Sequence, residues 1–99
     1  MSINSVQQHL AQAERANRSG LRDEARGHFE AVLGIDDAQA TARNWLGADA
    51  LARADAATAA MHFDIACKSE PNERSHWMNL ALAQRTLADV EGERHALEE

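Results

Sequence analysis

The chain has 99 residues, enough for one small domain and too few for two. Hydrophobic residues make up 44% of it but aromatics only 4%, with no Tyr and a single Pro, a balance that suits closely packed helices and offers little to a β-sheet. Its formal charge of −6 comes from 16 acidic and 10 basic residues spread along the sequence, which excludes the clustered Lys and Arg that nucleic-acid binding needs.

No apolar run approaches the 18 or so residues that would span a bilayer, so no membrane role is expected. The opening Met1-Ser2-Ile3-Asn4-Ser5 lacks the basic and apolar regions of a signal peptide, and the expected location is the cytoplasm. Cys67, the sole cysteine, has no partner for an internal disulfide, which fits a reducing compartment.

Read in chain order, the apolar periodicity predicts helices over 4–18, 22–34, 38–52, 56–69, 73–87 and 90–98. Gly20 ends the first, where a residue at positive φ is cheap. Asp37, Asp55, Asn72 and Asp89 stand where N-caps are needed, and Pro71 stops one helix before Asn72 opens the next. In the second helix Ala25, Phe29 and Val32 form one stripe; in the fourth Ala59, Phe63 and Ala66 repeat it. Arg43, Leu46, Gly47 and Ala50 share a face of the third helix, and Trp77, Leu80, Ala81 and Gln84 share one on the fifth.

These stripes recur. A shift of 34 residues lays Ala16 on Ala50, Ala25 on Ala59, His28 on His62, Phe29 on Phe63 and Glu30 on Asp64. Leu46-Gly47 followed by Ala59, Phe63, Ala66 and Pro71 resembles the tetratricopeptide repeat (TPR) signature, with a Leu-Gly pair in a first helix, an Ala-x3-Phe-x2-Ala run in a second and a closing Pro. The resemblance covers nearly the whole chain and implies an all-α superhelix, a solenoid of antiparallel helix pairs with about six helices. The domain, 1–99, divides into repeats 6–39 and 40–73 and a partial repeat 74–99. The first repeat keeps Gly20, Ala25, Phe29 and Val32; the third begins with Trp77, Leu80 and Ala81. Arg43 departs from the pattern where a large apolar residue is expected, and Glu93 where a small one is, which weakens the packing expected of the last helix.

A helical-repeat domain of this kind binds and does not catalyse, and the sequence offers no competing chemistry. His9, His28, His62, His76 and His95 are dispersed; His28 and His62 fall on equivalent positions of adjacent repeats, about 10 Å apart at ordinary helix spacing, whereas zinc ligands lie about 2 Å from the metal. They are expected on exposed outer faces. His62-Phe63-Asp64 imitates a non-haem iron element, but on a helix residues i and i+2 diverge by about 200°. Cys67 occupies an apolar register position and is expected to be a buried, inert thiol. No phosphate loop, zinc-protease motif or nucleophile elbow is present, so no catalytic residue, metal or cofactor is expected.

In TPR arrays the first helices line a concave groove, and the resemblance places Leu10, Glu14, Asn44, Trp45, Ala48, Met78, Asn79, Leu82 and Arg85 on their free faces. Trp and Arg are enriched at binding hot spots, and Asn can hold a peptide's backbone amides. Two alternatives stay open: Trp45 packs between first helices, and Met78 and Leu82 form the socket of a further helix. Many TPR domains grip a C-terminal carboxylate through Lys and Asn; the corresponding places hold Leu10, Glu14, Trp45, Ser75 and Asn79, so that clamp is absent. The partner expected is a protein or peptide segment, neutral or basic, with apolar anchors.

The sequence stops at Ala96-Leu97-Glu98-Glu99 inside a helical pattern, which reads as a piece of a longer chain or as an end covered by another chain. Two other functions follow. One is self-association as a homodimer through the C-terminal end. The other rests on Trp77-Met78-Asn79-Leu80-Ala81 and the stretch from Asp89 to Glu98, which are similar to the N-terminal repeat segment of bacterial aspartyl/asparaginyl β-hydroxylase-like proteins; the chain would then be the non-catalytic arm of an iron- and 2-oxoglutarate-dependent enzyme.

Overall fold

The computed structural model describes residues 4–98, with side chains through Gly92. Met1 to Ile3 and Glu99 lie outside the described residues, and the side chain of Glu93, with the weakened packing expected of it, lies outside as well. The protein is all-α: α1 spans Ser5–Arg18, α2 Arg22–Ile35, α3 Ala40–Ala52, α4 Ala56–Ser69 and α5 Arg74–Glu98. Each helix packs chiefly on its neighbours in sequence.

Caps set the helix starts. Asn4 accepts from the Gln7 amide at 2.8 Å, Gln39 from Ala42 at 2.7 Å and Asp55 from Thr58 at 3.2 Å. Gln39 takes the place expected of Asp37, because Asp37 and Ala38 form a turn, closed by Gln39 N–H donating to the Asp36 carbonyl at 3.2 Å, and α3 begins only after it. Asn72 lies in a turn two residues ahead of α5.

The two turns that send α1 back as α2 and α3 back as α4 are the same turn. Leu21 N–H donates to Ala16 and Gly20 N–H to Asn17; 34 residues on, Asp55 N–H donates to Ala50 and Ala54 N–H to Leu51. This double closure of a helix C-terminus requires the residue after the cap to adopt left-handed backbone. Gly20 does so at φ 76° without strain. Ala54 does so at φ 64°, where its Cβ crowds the backbone.

The fifth and sixth predicted helices are one. α5 runs unbroken for 25 residues, about 37 Å at 1.5 Å per residue, through the turn expected at 88–89. Asp89, expected as an N-cap, is inside it.

Two clusters form the core. Ala13, Ala16, Ala25, Phe29, Val32, Ala42 and Leu46 make the first; Ala50, Ala59, Phe63, Cys67, Leu80 and Ala83 make the second. Phe29 and Phe63 are the largest fully buried side chains among the described residues. Gly47 is fixed by the second: a Cβ there would stand 2.6 to 2.9 Å from three Phe63 ring carbons, so the ring lies flush on the α3 backbone. The stripe expected on α5 divides. Leu80 is buried, whereas Trp77, Ala81 and Gln84 are exposed, because α5 packs on α4 through His76, Leu80 and Ala83 and no helix returns over its other side.

Truncating Phe63 to Ala removes transfer energy and leaves a cavity, at a cost of about 3 to 5 kcal/mol. At about 4 to 8 °C per kcal/mol for a domain of this size, the melting temperature should fall by more than about 10 °C in a calorimetric scan. Ala54→Gly should act oppositely, stabilising by about 1 kcal/mol in denaturant titration as the left-handed strain is relieved. A loss of stability in the Gly variant would contradict the strained turn.

Candidate interaction groove

Trp45 lines a cleft where residues of several helices meet. It is half-buried, its ring stacks on Phe29 with centroids 4.8 Å apart, and its Nε1–H donates to Asn17 Oδ1 at 3.2 Å. It therefore both packs between α1 and α3 and lines the cleft. That cleft, about 350 Å³, is walled by Glu14 and Asn17 from α1, Thr41, Asn44, Trp45 and Ala48 from α3, and Glu70 and His76 at the α4–α5 end.

Four of the nine groove residues expected from the sequence thus come together: Glu14, Asn44, Trp45 and Ala48. Asn79 joins from α5 by donating its amide to Asn44 Oδ1 at 2.9 Å. Leu10 does not reach the cleft; it lines a separate depression with Val6, Ile35 and Gln39. Met78 and Leu82 are well exposed on α5, outside the cleft lining, and Arg85 is exposed on the same helix.

The sequence reading missed Glu70 and His76. His76 sits at the register position of Ala42 and is buried, with its Nε2 2.8 Å from Glu70 Oε1, so it is not the outer-face histidine expected. His28 and His62 are half-buried rather than exposed, and His28 lies against His9 with ring centroids 5.7 Å apart. Arg43, where the pattern called for an apolar residue, is satisfied instead by polar contacts: its Nε donates to the Asp37 carbonyl at 2.7 Å and its Nη1 to His62 Nδ1 at 3.0 Å. An arginine only donates, so His62 accepts at Nδ1 and is neutral there. Desolvation, then the Arg43 charge, pushes the His62 pKa below its ordinary value.

Adjoining the cleft, across Asn17, Trp45 and Ala48, a depression lined by Arg22 and Asp49 opens onto the most charged constellation of the core. Asp49 is 1% exposed and accepts from Arg22 Nε at 2.7 Å and Arg26 Nε at 2.8 Å, with Arg53 Nε at 3.3 Å. Hydrogen bonds from Arg26 hold its carboxyl below the ordinary range, outweighing the desolvation that would raise it. Arg22 and Arg53 keep most of their charge in water, so a buried carboxylate is neutralised without burying three cations. The signal was an Asp on the otherwise apolar face of Ala42, Leu46 and Ala50, with Arg22 and Arg26 one turn apart on the preceding helix.

Cys67 is fully buried, and burial pushes its thiol pKa up, away from the thiolate a nucleophile needs. Among the described residues no three His, Cys, Asp or Glu side chains gather as a metal site, and no helix is long and apolar enough to cross a membrane. No protein-family model and no curated protein matches this chain.

Replacing Asp49 by Asn should destabilise the fold by about 2 to 4 kcal/mol at pH 7, since charge-assisted hydrogen bonds are lost but the arginines stay hydrated. Because the folded pKa of Asp49 is depressed, its contribution is complete above its unfolded value of about 3.9 and is lost as pH falls through the folded value. Denaturant titrations stepped down from pH 7 should show the parent approaching the Asn variant below about pH 4. A gap that persisted through that window would contradict the assignment.

Proposed function

We propose that the chain is a TPR-like scaffold that holds an extended, basic or neutral peptide segment of another protein across the cleft of Glu14, Asn44 and Trp45, with no chemistry of its own. The observation that carries this reading is the composition of the cleft wall. It joins an aromatic ring already braced on Phe29, amide side chains of Asn17 and Asn44, and the carboxylates of Glu14 and Glu70, with no Lys or Arg among them. Amides can meet a peptide backbone in either sense, since each carries a donor and an acceptor. Trp45 supplies a rigid apolar anchor that loses little conformational entropy on binding. The two carboxylates favour a cationic side chain and repel an acidic one. The 34-residue period, the repeated left-handed turn and the consecutive packing of helices support the kinship with TPR arrays.

The test is a fluorescence-anisotropy panel of labelled decapeptides that share apolar anchors and differ only in charge, titrated with the full chain. Lys- or Arg-containing peptides should bind more tightly than their Glu counterparts, and rising salt should narrow the difference. Glu14→Lys changes an exposed residue and should leave the melt unaltered while weakening the basic peptides about tenfold. Binding that ignored both peptide charge and Glu14→Lys would remove the cleft as the site.

A further inference from the structure

The cleft around Trp45 does not end at its own wall. A second depression, about 240 Å³ and lined by Gly20, Arg22 and Asp49, shares Asn17, Trp45 and Ala48 with it. Along α1 the lining passes from Glu14 through Asn17 to Gly20, and along α3 from Thr41 through Trp45 to Asp49, so the two helices bound one trough in the same sense. Its ends differ in charge. Glu14 and Glu70 stand at one, with no cation in the lining, and Arg22 stands at the other. Asp49 lines that second end too, but its carboxylate is 1% exposed and faces three guanidiniums.

Arg22 has donors left over. Its Nε–H is engaged by Asp49 Oδ1 at 2.7 Å, while the four N–H groups on its two Nη atoms meet no acceptor among the described residues, and the side chain is 53% exposed. Arg26 is the contrast. Its Nε and Nη2 both reach Asp49, at 2.8 and 3.3 Å, its Nη1 reaches Asp23 at 2.9 Å, and the side chain is largely covered. Arg26 alone therefore balances the Asp49 charge, and Arg22 remains a cation whose outer edge is open. That edge is a planar pair of donors matched to a carboxylate.

We propose that the trough reads a charge pattern: the peptide that sets a basic residue against Glu14 and Glu70 and an apolar one on Trp45 also sets an acidic side chain against the Nη edge of Arg22. The spacing follows from the helix. Glu14 and Gly20 are six positions apart at the end of α1, about 9 Å at helical rise, which an extended peptide covers in about three residues. The carboxylate belongs to a side chain rather than to a chain end because the trough stays open past Gly20, where a Cβ would meet no atom within 4 Å and the peptide has room to run on. This inference rests on the cleft being a peptide site and adds the second charge that the site selects.

Two labelled peptides test it, each with a lysine, a leucine beside it and, three positions from the lysine, either a glutamate or a glutamine. Both are amidated at the C-terminus. Anisotropy titration with the full chain should show the glutamate peptide binding about fivefold more tightly, an advantage that fades as salt rises. Arg22→Gln, which leaves Arg26 and Arg53 on Asp49, should bring the ratio of the two affinities to one. Because a partly unfolded fraction lowers both affinities alike, it does not move that ratio. Equal affinities on the parent chain overturn the charge pattern and leave the cleft in place, and a ratio unmoved by Arg22→Gln overturns the role of Arg22. If only a free terminal carboxylate at that place gave the advantage, the side-chain assignment would be overturned. Failure of both peptides to bind removes the cleft reading and this inference with it.

Discussion

A helix can double back along its neighbour only if its last carbonyls find donors while the chain reverses, and here that constraint falls on a single backbone position in each period. Residues 20 and 54 meet it with left-handed backbone and the same pair of closing hydrogen bonds. Every contact between α1 and α2, and between α3 and α4, depends on those two turns, because the helices on either side have no other covalent route to each other. The penalty is unequal: glycine meets it freely, alanine against its own Cβ, and at 88 the chain declines the turn. One torsional preference thus separates two hairpins from one long helix.

Once the turns are made, packing is set by one aromatic per hairpin. The α4 ring lies on the bare backbone of Gly47, whereas the α2 ring faces Ala13 and leans on Trp45. These are two solutions to the same volume problem, one with no Cβ beneath the ring and one with a second aromatic beside it. The second has a consequence for the surface: Phe29 braces the ring that forms the cleft wall, so the largest buried residue of α2 stiffens the aromatic residue of the groove.

Periodicity made the helices and their buried stripes legible. Leu46, Gly47, Ala50, Ala59, Phe63 and Ala66 are all buried as their spacing implied, because the 3.6-residue period and the small side chains admit one orientation. What could not be read was anything decided by a competition. The bend at 88–89 had an Asp in the N-cap place and a spacing equal to the earlier turns, but the outcome turned on strain against burial, which no local pattern records. Polar pairings were equally hidden. Arg43 looked like a defect until His62 and the Asp37 carbonyl were brought to it, and the Asp on the apolar face of α3 did not by itself say that Arg22 and Arg26 of α2 would meet it. Apart from Arg53, which is i+4 from Asp49, these partners are 6 to 27 residues away, outside the reach of a helical template.

The groove was half legible for the same reason. Positions on the free faces of α1 and α3 follow from helix geometry, and Glu14, Asn44, Trp45 and Ala48 do line one cleft. Positions on α5 depend on how that helix sits, and α5 is held by one face only. Its Asn79 still reaches Asn44, so the first turns of α5 are in register with α3, while the side away from Leu80 and Ala83 is exposed. The cleft and the open face of α5 are therefore distinct surfaces with distinct chemistry, one amide-rich and acidic around a braced indole, the other exposing Trp77, Ala81 and Gln84. The two surfaces share no residue, so a substitution in one leaves the lining of the other unchanged.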